Sequence, residues 1–130
     1  MAKHLAIFHS WAIDDTLSGK KQVEARFSKI KIAPFGKVSR GDTVFMKPPG
    51  EPIAGEFLVD RVFYFDHPKE EEIKELKNKY KAKMALPNHF WSGKDEINYV
   101  TLMFVGARQK FLTPPRVIKK RDLRGWVVLG

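Results

Sequence analysis

Lys21, Glu24 and Arg26 stand close together in the chain, just beyond a glycine turn at Gly19. A carboxylate such as that of Glu24 accepts hydrogen bonds from an exocyclic amine, cytosine N4 for example. A guanidinium two residues along the same strand face, Arg26, pairs with that carboxylate or with a phosphate. Lys20 and Lys47 add charge that would steer phosphates at the rim of such a site. Further along, Phe90 and Trp91 would either stack a base or plug the core, with Lys94 close behind them. The same residues carry an enzymatic reading. Lys21, with its pKa lowered by burial or by Lys20 and Arg26, would work with Glu24 as a metal-independent general acid and base. They also carry a structural one, in which Glu24 and Arg26 form a partly buried ion pair that closes one end of the fold.

Other chemistries fail on composition or spacing. The chain has no cysteine, which removes disulfides, thiolate zinc sites, iron–sulfur clusters and a cysteine nucleophile. Ser18-Gly19-Lys20-Lys21 looks like the end of a phosphate loop, but its earlier glycine would fall at Asp14 and no Ser or Thr follows the lysine. His4, His9, His67 and His89 lack the close same-face spacing of a metal pair, so neither a metal nor another cofactor is expected. There is no Gly-x-Ser-x-Gly elbow, and His9 beside Ser10 makes no triad by adjacency.

Charge points to the partner. Lys plus Arg number 24 against 15 Asp plus Glu, a net charge of +9, which favours polyanions such as RNA or DNA. The excess gathers in residues 20–47 and 107–124, whereas residues 66–84 mix both signs. A protein adaptor docking through residues 69–84 or the basic tail is the third function class, and its partners would survive nuclease treatment. The longest apolar stretch, residues 99–107, is too short to span lipid, and residues 1–8 hold no apolar run of signal-peptide length. A cytoplasmic protein with no membrane partner is expected.

The elements that would position these residues follow from periodicity. Residues 3–8 read as a strand, Ser10 as the N-cap of a helix over residues 11–18, and Gly19 as its stop. Residues 21–27 alternate, with Val23, Ala25 and Phe27 on one face and Gln22, Glu24 and Arg26 on the other. Residues 43–47 and 53–65 make a hairpin across Pro48-Pro49-Gly50, with Gly55 marking a bulge. A helix opens after Asp66-His67-Pro68 with Ile73, Leu76, Tyr80 and Met84 on one face. Glu70 with Lys74 and Glu75 with Lys79 are spaced to pair on the other. Residues 86–94 read as a loop, 98–111 as a long strand and 125–129 as a closing strand. Trp11 and Trp126 fall in apolar patterns that predict core packing. The length of 130 residues suits a single domain, residues 1–130. About six mostly antiparallel strands with two or three helices make a small α+β barrel, because closing a sheet removes its edges.

The pattern Gly19-x-Lys21-x-x-Glu24-x-Arg26, the Gly41-Asp42 turn and the strand Ile53-Ala54-Gly55-Glu56-Phe57 together resemble the ASCH domain of the PUA-like superfamily. The likeness covers most of the chain, running through His89-Phe90-Trp91-Ser92-Gly93-Lys94 and into Phe111-Leu112-Thr113-Pro114-Pro115. It implies a small PUA-like β-barrel with a cleft beside the first motif that binds RNA or DNA. Lys20, Lys21, Glu24, Arg26, Lys47, Trp91 and Lys94 would contact the nucleic acid. A minority of such domains hydrolyse the acyl amide of N4-acetylcytidine or cleave RNA, a role in which Lys21 and Glu24 would be catalytic. Those amidohydrolases carry a hydroxyl residue at the position of Glu24, where this chain departs from them.

Overall fold

The computed structural model of the chain describes residues 1–87, 96–113, 115 and 125–130. In chain order the elements are β1 (Lys3–Ile7), α1 (Ser10–Ser18), β2 (Val23–Ser28), β3 (Thr43–Lys47), β4 (Gly55–Asp66), α2 (Glu70–Met84), β5 (Tyr99–Lys110) and β6 (Trp126–Val128). The strands join in one sheet of order β2-β5-β4-β3-β1-β6. β1 runs parallel to β3, and the other four pairings are antiparallel. The sheet curls into a half-barrel whose end strands, β2 and β6, face a seam. This is the small α+β fold with a curled, mostly antiparallel six-stranded sheet expected from the sequence, with two helices among the described residues.

The alternation in β2 and β5 assigns the faces. Val23, Ala25, Val100 and Leu102 pack beneath Met84, with Leu76 and Tyr80 of α2 against them. Glu24 lies opposite Met103 and Arg26 opposite Thr101, so both point to the other face, where Met103 packs with Ala12 and Ile13 of α1. Helix α1 thus covers the face that carries the charged pair, and α2 backs the strand from behind. No helix among the described residues is long and apolar enough to cross a membrane.

Helix ends explain how the chain reaches β2. Gly19 adopts φ 88°, a left-handed conformation that suits glycine, and its N–H bonds Thr16 O at 3.3 Å to end α1. The N-cap is His9, not Ser10: the chain stays extended through His9, whose carbonyl already accepts from Ala12 and Ile13. In α2, Glu70, Glu71 and Glu72 fill the first turn while Lys81 and Lys83 lie in the last, matching the helix dipole. The Glu72 carboxylate accepts from the Lys69 N–H at 3.0 Å. The Glu70–Lys74 and Glu75–Lys79 spacings do not close into ion pairs, and apolar contact carries the docking of α2.

Two further expectations change. Gly55 is a point of close approach: a Cβ there would lie 2.8 Å from Gln109 O, and the register irregularities fall further along β4, between Phe57 and Arg61. Trp11 is not in the core. It is 41% exposed, whereas Trp126 is 3% exposed as expected.

Candidate functional site

The turn after α1 delivers Lys21 to the C-terminus of α2. The Lys21 N–H bonds Asp15 O at 2.9 Å, the Gln22 N–H bonds Lys83 O at 2.7 Å, and the Lys21 ammonium donates to Met84 O at 2.5 Å. The first ties the turn to a carbonyl of α1, and the other two satisfy two of the last carbonyls of α2, which a helix leaves open. Lys21 is 1% exposed. Burial lowers its pKa below the ordinary 10.5, and the nearby Arg26 charge lowers it further, while Glu24 and Asp15 work in the opposite direction.

Glu24 is buried as well, its side chain 7% exposed. Its nearest cation among the described residues is Arg26, whose Nε lies 3.6 Å from Oε1, beyond hydrogen-bond length. Among the described residues no N–H or O–H donates to the Glu24 carboxyl. The great majority of buried polar groups are satisfied, and a carboxyl left open is costly.

Arg26 lies on the same face as Glu24. One guanidinium N–H donates to Ile7 O at 3.0 Å, and the planar group lies over the rings of Phe8 at 4.8 Å and Trp126 at 5.3 Å. It reaches from β2 across to β1 and β6, so a side chain bridges the seam that strand pairing leaves open.

Lys21, Glu24 and Arg26 line one cavity of about 300 Å³. Its apolar walls include Ile7, Phe8, Ala12, Ala25 and Leu86, and the exposed pair His9 and Trp11 line it too. These two rings stack nearly parallel, 9° apart with centroids at 5.8 Å. The cavity therefore joins a polar floor of two opposite charges and an amine to apolar walls and an exposed aromatic pair.

Three of the expected site residues thus converge. Lys20 is exposed and does not line the cavity. Lys47 is half-buried, its ammonium donating to Pro48 O at 3.2 Å, and it too stays outside. Trp91 and Lys94 lie outside the described residues. Sequence reasoning missed His9 and Trp11: their signal was an aromatic pair two residues apart where β1 turns into α1, hidden by the apolar look of the helix.

No protein-family model and no curated protein matches the chain. Solved structures do. An ASCH protein from Zymomonas mobilis superposes with a TM-score of 0.64 at 14% identity, over 83% of this chain and 69% of that one. Two mutant forms of that protein also match. In the tyrosine-to-phenylalanine mutant the TM-score is 0.63 at 14% identity, with 83% and 71% covered. In the serine-to-alanine mutant it is 0.67 at 13% identity, with 98% and 88% covered. The curled six-stranded sheet, with two helices among the described residues, has an ASCH-like fold.

Proposed function

We propose that the chain binds RNA and takes one unpaired base into the cavity floored by Lys21, Glu24 and Arg26. The observation that carries this reading is the Glu24 carboxyl, buried yet without a donor among the described residues and lining a cavity of about 300 Å³. A base brings the missing donor, an exocyclic amine, in the geometry a carboxylate accepts. Apolar walls suit the faces of the ring, and Trp11 with His9 offers a stacking surface beside it. The volume lies at the small end of the range of about 300–1,000 Å³ for small-molecule sites and suits one base with its sugar. The charge of +9 supplies attraction for the backbone.

Fluorescence anisotropy with a labelled single-stranded RNA tests it. Wild type binds, added salt weakens the binding steeply, and Glu24→Gln weakens it on the order of tenfold. Absence of binding at low salt, or binding indifferent to salt, contradicts the proposal. Single-stranded DNA bound equally well widens the ligand class to nucleic acid in general.

A second reading rests on Lys21, a buried amine whose pKa is lowered beside a carboxyl. Such a pair suits metal-independent hydrolysis, with Lys21 moving a proton while water adds to an acyl amide or a phosphodiester. On this reading N4-acetylcytidine and water give cytidine and acetate, and Lys21→Ala abolishes the release. No product from wild type leaves binding alone.

A further inference from the structure

Arg26 lines two cavities. Besides the one it shares with Lys21 and Glu24, it lines a second of about 230 Å³, together with Ser28, Ile32, Ala33, Pro34, Thr101 and Trp126. No other described residue lines both. We propose that this second cavity holds the neighbouring nucleotide of the same RNA strand, with the joining phosphodiester on Arg26, so that the site reads a dinucleotide step; this rests on the RNA-binding function proposed above.

The donor count at Arg26 is the first argument. A guanidinium carries five N–H groups in a fixed fork. One donates to Ile7 O, and the Nε is too far from Glu24 to bond it. The others have no hydrogen-bond partner among the described residues. The side chain is 27% exposed, so the fork is both held and reachable. Its contacts with the Phe8 and Trp126 rings, at 4.8 and 5.3 Å from their centroids, hold the group where it lines both cavities. An oriented guanidinium with open donors is what a phosphodiester takes, in a way an ammonium cannot reproduce.

The second cavity is also built into the fold. Its loop wall, which carries Ile32, Ala33 and Pro34, is fastened to the sheet at two places. Phe35 sits edge-on between Tyr64 and Tyr99, with centroids at 5.2 and 4.9 Å. The Tyr64 hydroxyl accepts from the Val38 N–H at 2.7 Å and donates to Val38 O at 2.5 Å. Ser28 at its edge and Thr101 opposite Arg26 add hydroxyls to walls that are otherwise apolar, the mixture that a ribose and a base require.

The test compares ligands of increasing length by calorimetry: the four ribonucleosides, their mononucleotides and the dinucleotides CpC, UpU, ApA and GpG. Affinity is expected to rise from nucleoside to mononucleotide, and again on the order of tenfold to the best dinucleotide. Ser28→Phe, which fills the second cavity, and Ile32→Asp, which sets a negative charge at its wall, should each remove the dinucleotide increment and leave nucleoside binding unchanged. A dinucleotide that binds no tighter than its mononucleotide overturns the proposal while leaving the first cavity's role intact. An increment that survives both substitutions overturns it too. Failure of every ligand, together with failure of the longer RNA, overturns the RNA-binding function and this inference with it.

Discussion

Two buried polar clusters lie side by side within the half-barrel, and they differ in one respect. In the first, the Asp42 carboxylate accepts from the Ala2 N–H at 3.0 Å, the Ser39 N–H at 2.9 Å and His4 Nε2 at 2.8 Å. His4 Nδ1 in turn accepts from the Trp126 indole N–H at 3.0 Å. Because the indole only donates, His4 keeps its proton on Nε2 and each ring nitrogen is used. In the second cluster, Lys21 donates to a helix carbonyl, but the Glu24 carboxyl receives nothing among the described residues and Arg26 keeps open donors. Both clusters are buried and both carry charge. Satisfaction separates them: the first spends its hydrogen bonds on the fold, and the second leaves them open among the described residues, as the proposed RNA site requires. Trp126 joins the two, bonded to His4 through its N–H and in cation–π contact with Arg26 through its ring.

The largest effect should come from the satisfied cluster. Asp42→Ala strands three donors and should cost roughly 3–5 kcal/mol of folding stability in denaturant melts, while protein that remains folded keeps its RNA affinity. Burial alone would raise the Asp42 pKa, but the bonds from His4, Ser39 and Ala2 outweigh it and hold the carboxyl below 3.8. The stability it contributes is therefore present above that value and lost as the pH falls through its lower folded value. Wild type should show this acid limb in melts across pH, and the mutant should lack it.

Arg26→Ala sharpens the comparison because Arg26 belongs to both worlds. It should lose on the order of tenfold in RNA affinity, about 1.4 kcal/mol, together with about 1–2 kcal/mol of stability from the lost Ile7 bond and ring contacts. Arg26→Lys should recover part of the stability and little of the affinity, since an ammonium cannot fork a phosphate. Equal recovery of both would make Arg26 a seam residue alone.

Lys21→Met gives the smallest effect and one with a defined sign. Because the folded state lowers the Lys21 pKa, the unfolded chain binds more protons between that lowered value and 10.5, and wild-type stability rises with pH across that window. The mutant lacks the rise, so its stability relative to wild type should fall as the pH climbs, by no more than about 1.4 kcal/mol per pH unit. A relative stability that is flat across pH would mean that Lys21 keeps its proton throughout.

Much of this arrangement was legible in the residues themselves. The alternation of Val23, Ala25 and Phe27 against Glu24 and Arg26 assigned the two faces of β2, because a strand repeats every two residues and one face had to be apolar. The Ile73, Leu76, Tyr80 and Met84 stripe located α2 for the same kind of reason, at helical period. Three things were hidden. The parallel pairing of β1 with β3 depends on strand order, which local periodicity does not carry. Trp11 looked like core because an apolar ring in an amphipathic helix looks the same whether the surface above it is protein or an open cavity. The His4–Asp42–Trp126 chain joins residues far apart in sequence, and nothing local in any of them announces the others.

Glu24 is where the account is most exposed. Replacing it by leucine removes a buried carboxyl with no donor among the described residues and substitutes an apolar group of similar size. In denaturant melts and RNA titrations on the same preparation, Glu24→Leu should be as stable as wild type or more so, because the cost of burying an open carboxyl is gone. Its RNA affinity should fall on the order of tenfold or more. A Glu24→Leu protein that is several kcal/mol less stable yet binds RNA normally when folded would contradict the account: Glu24 would then belong with Asp42, holding the half-barrel together, and the ligand site would lie elsewhere.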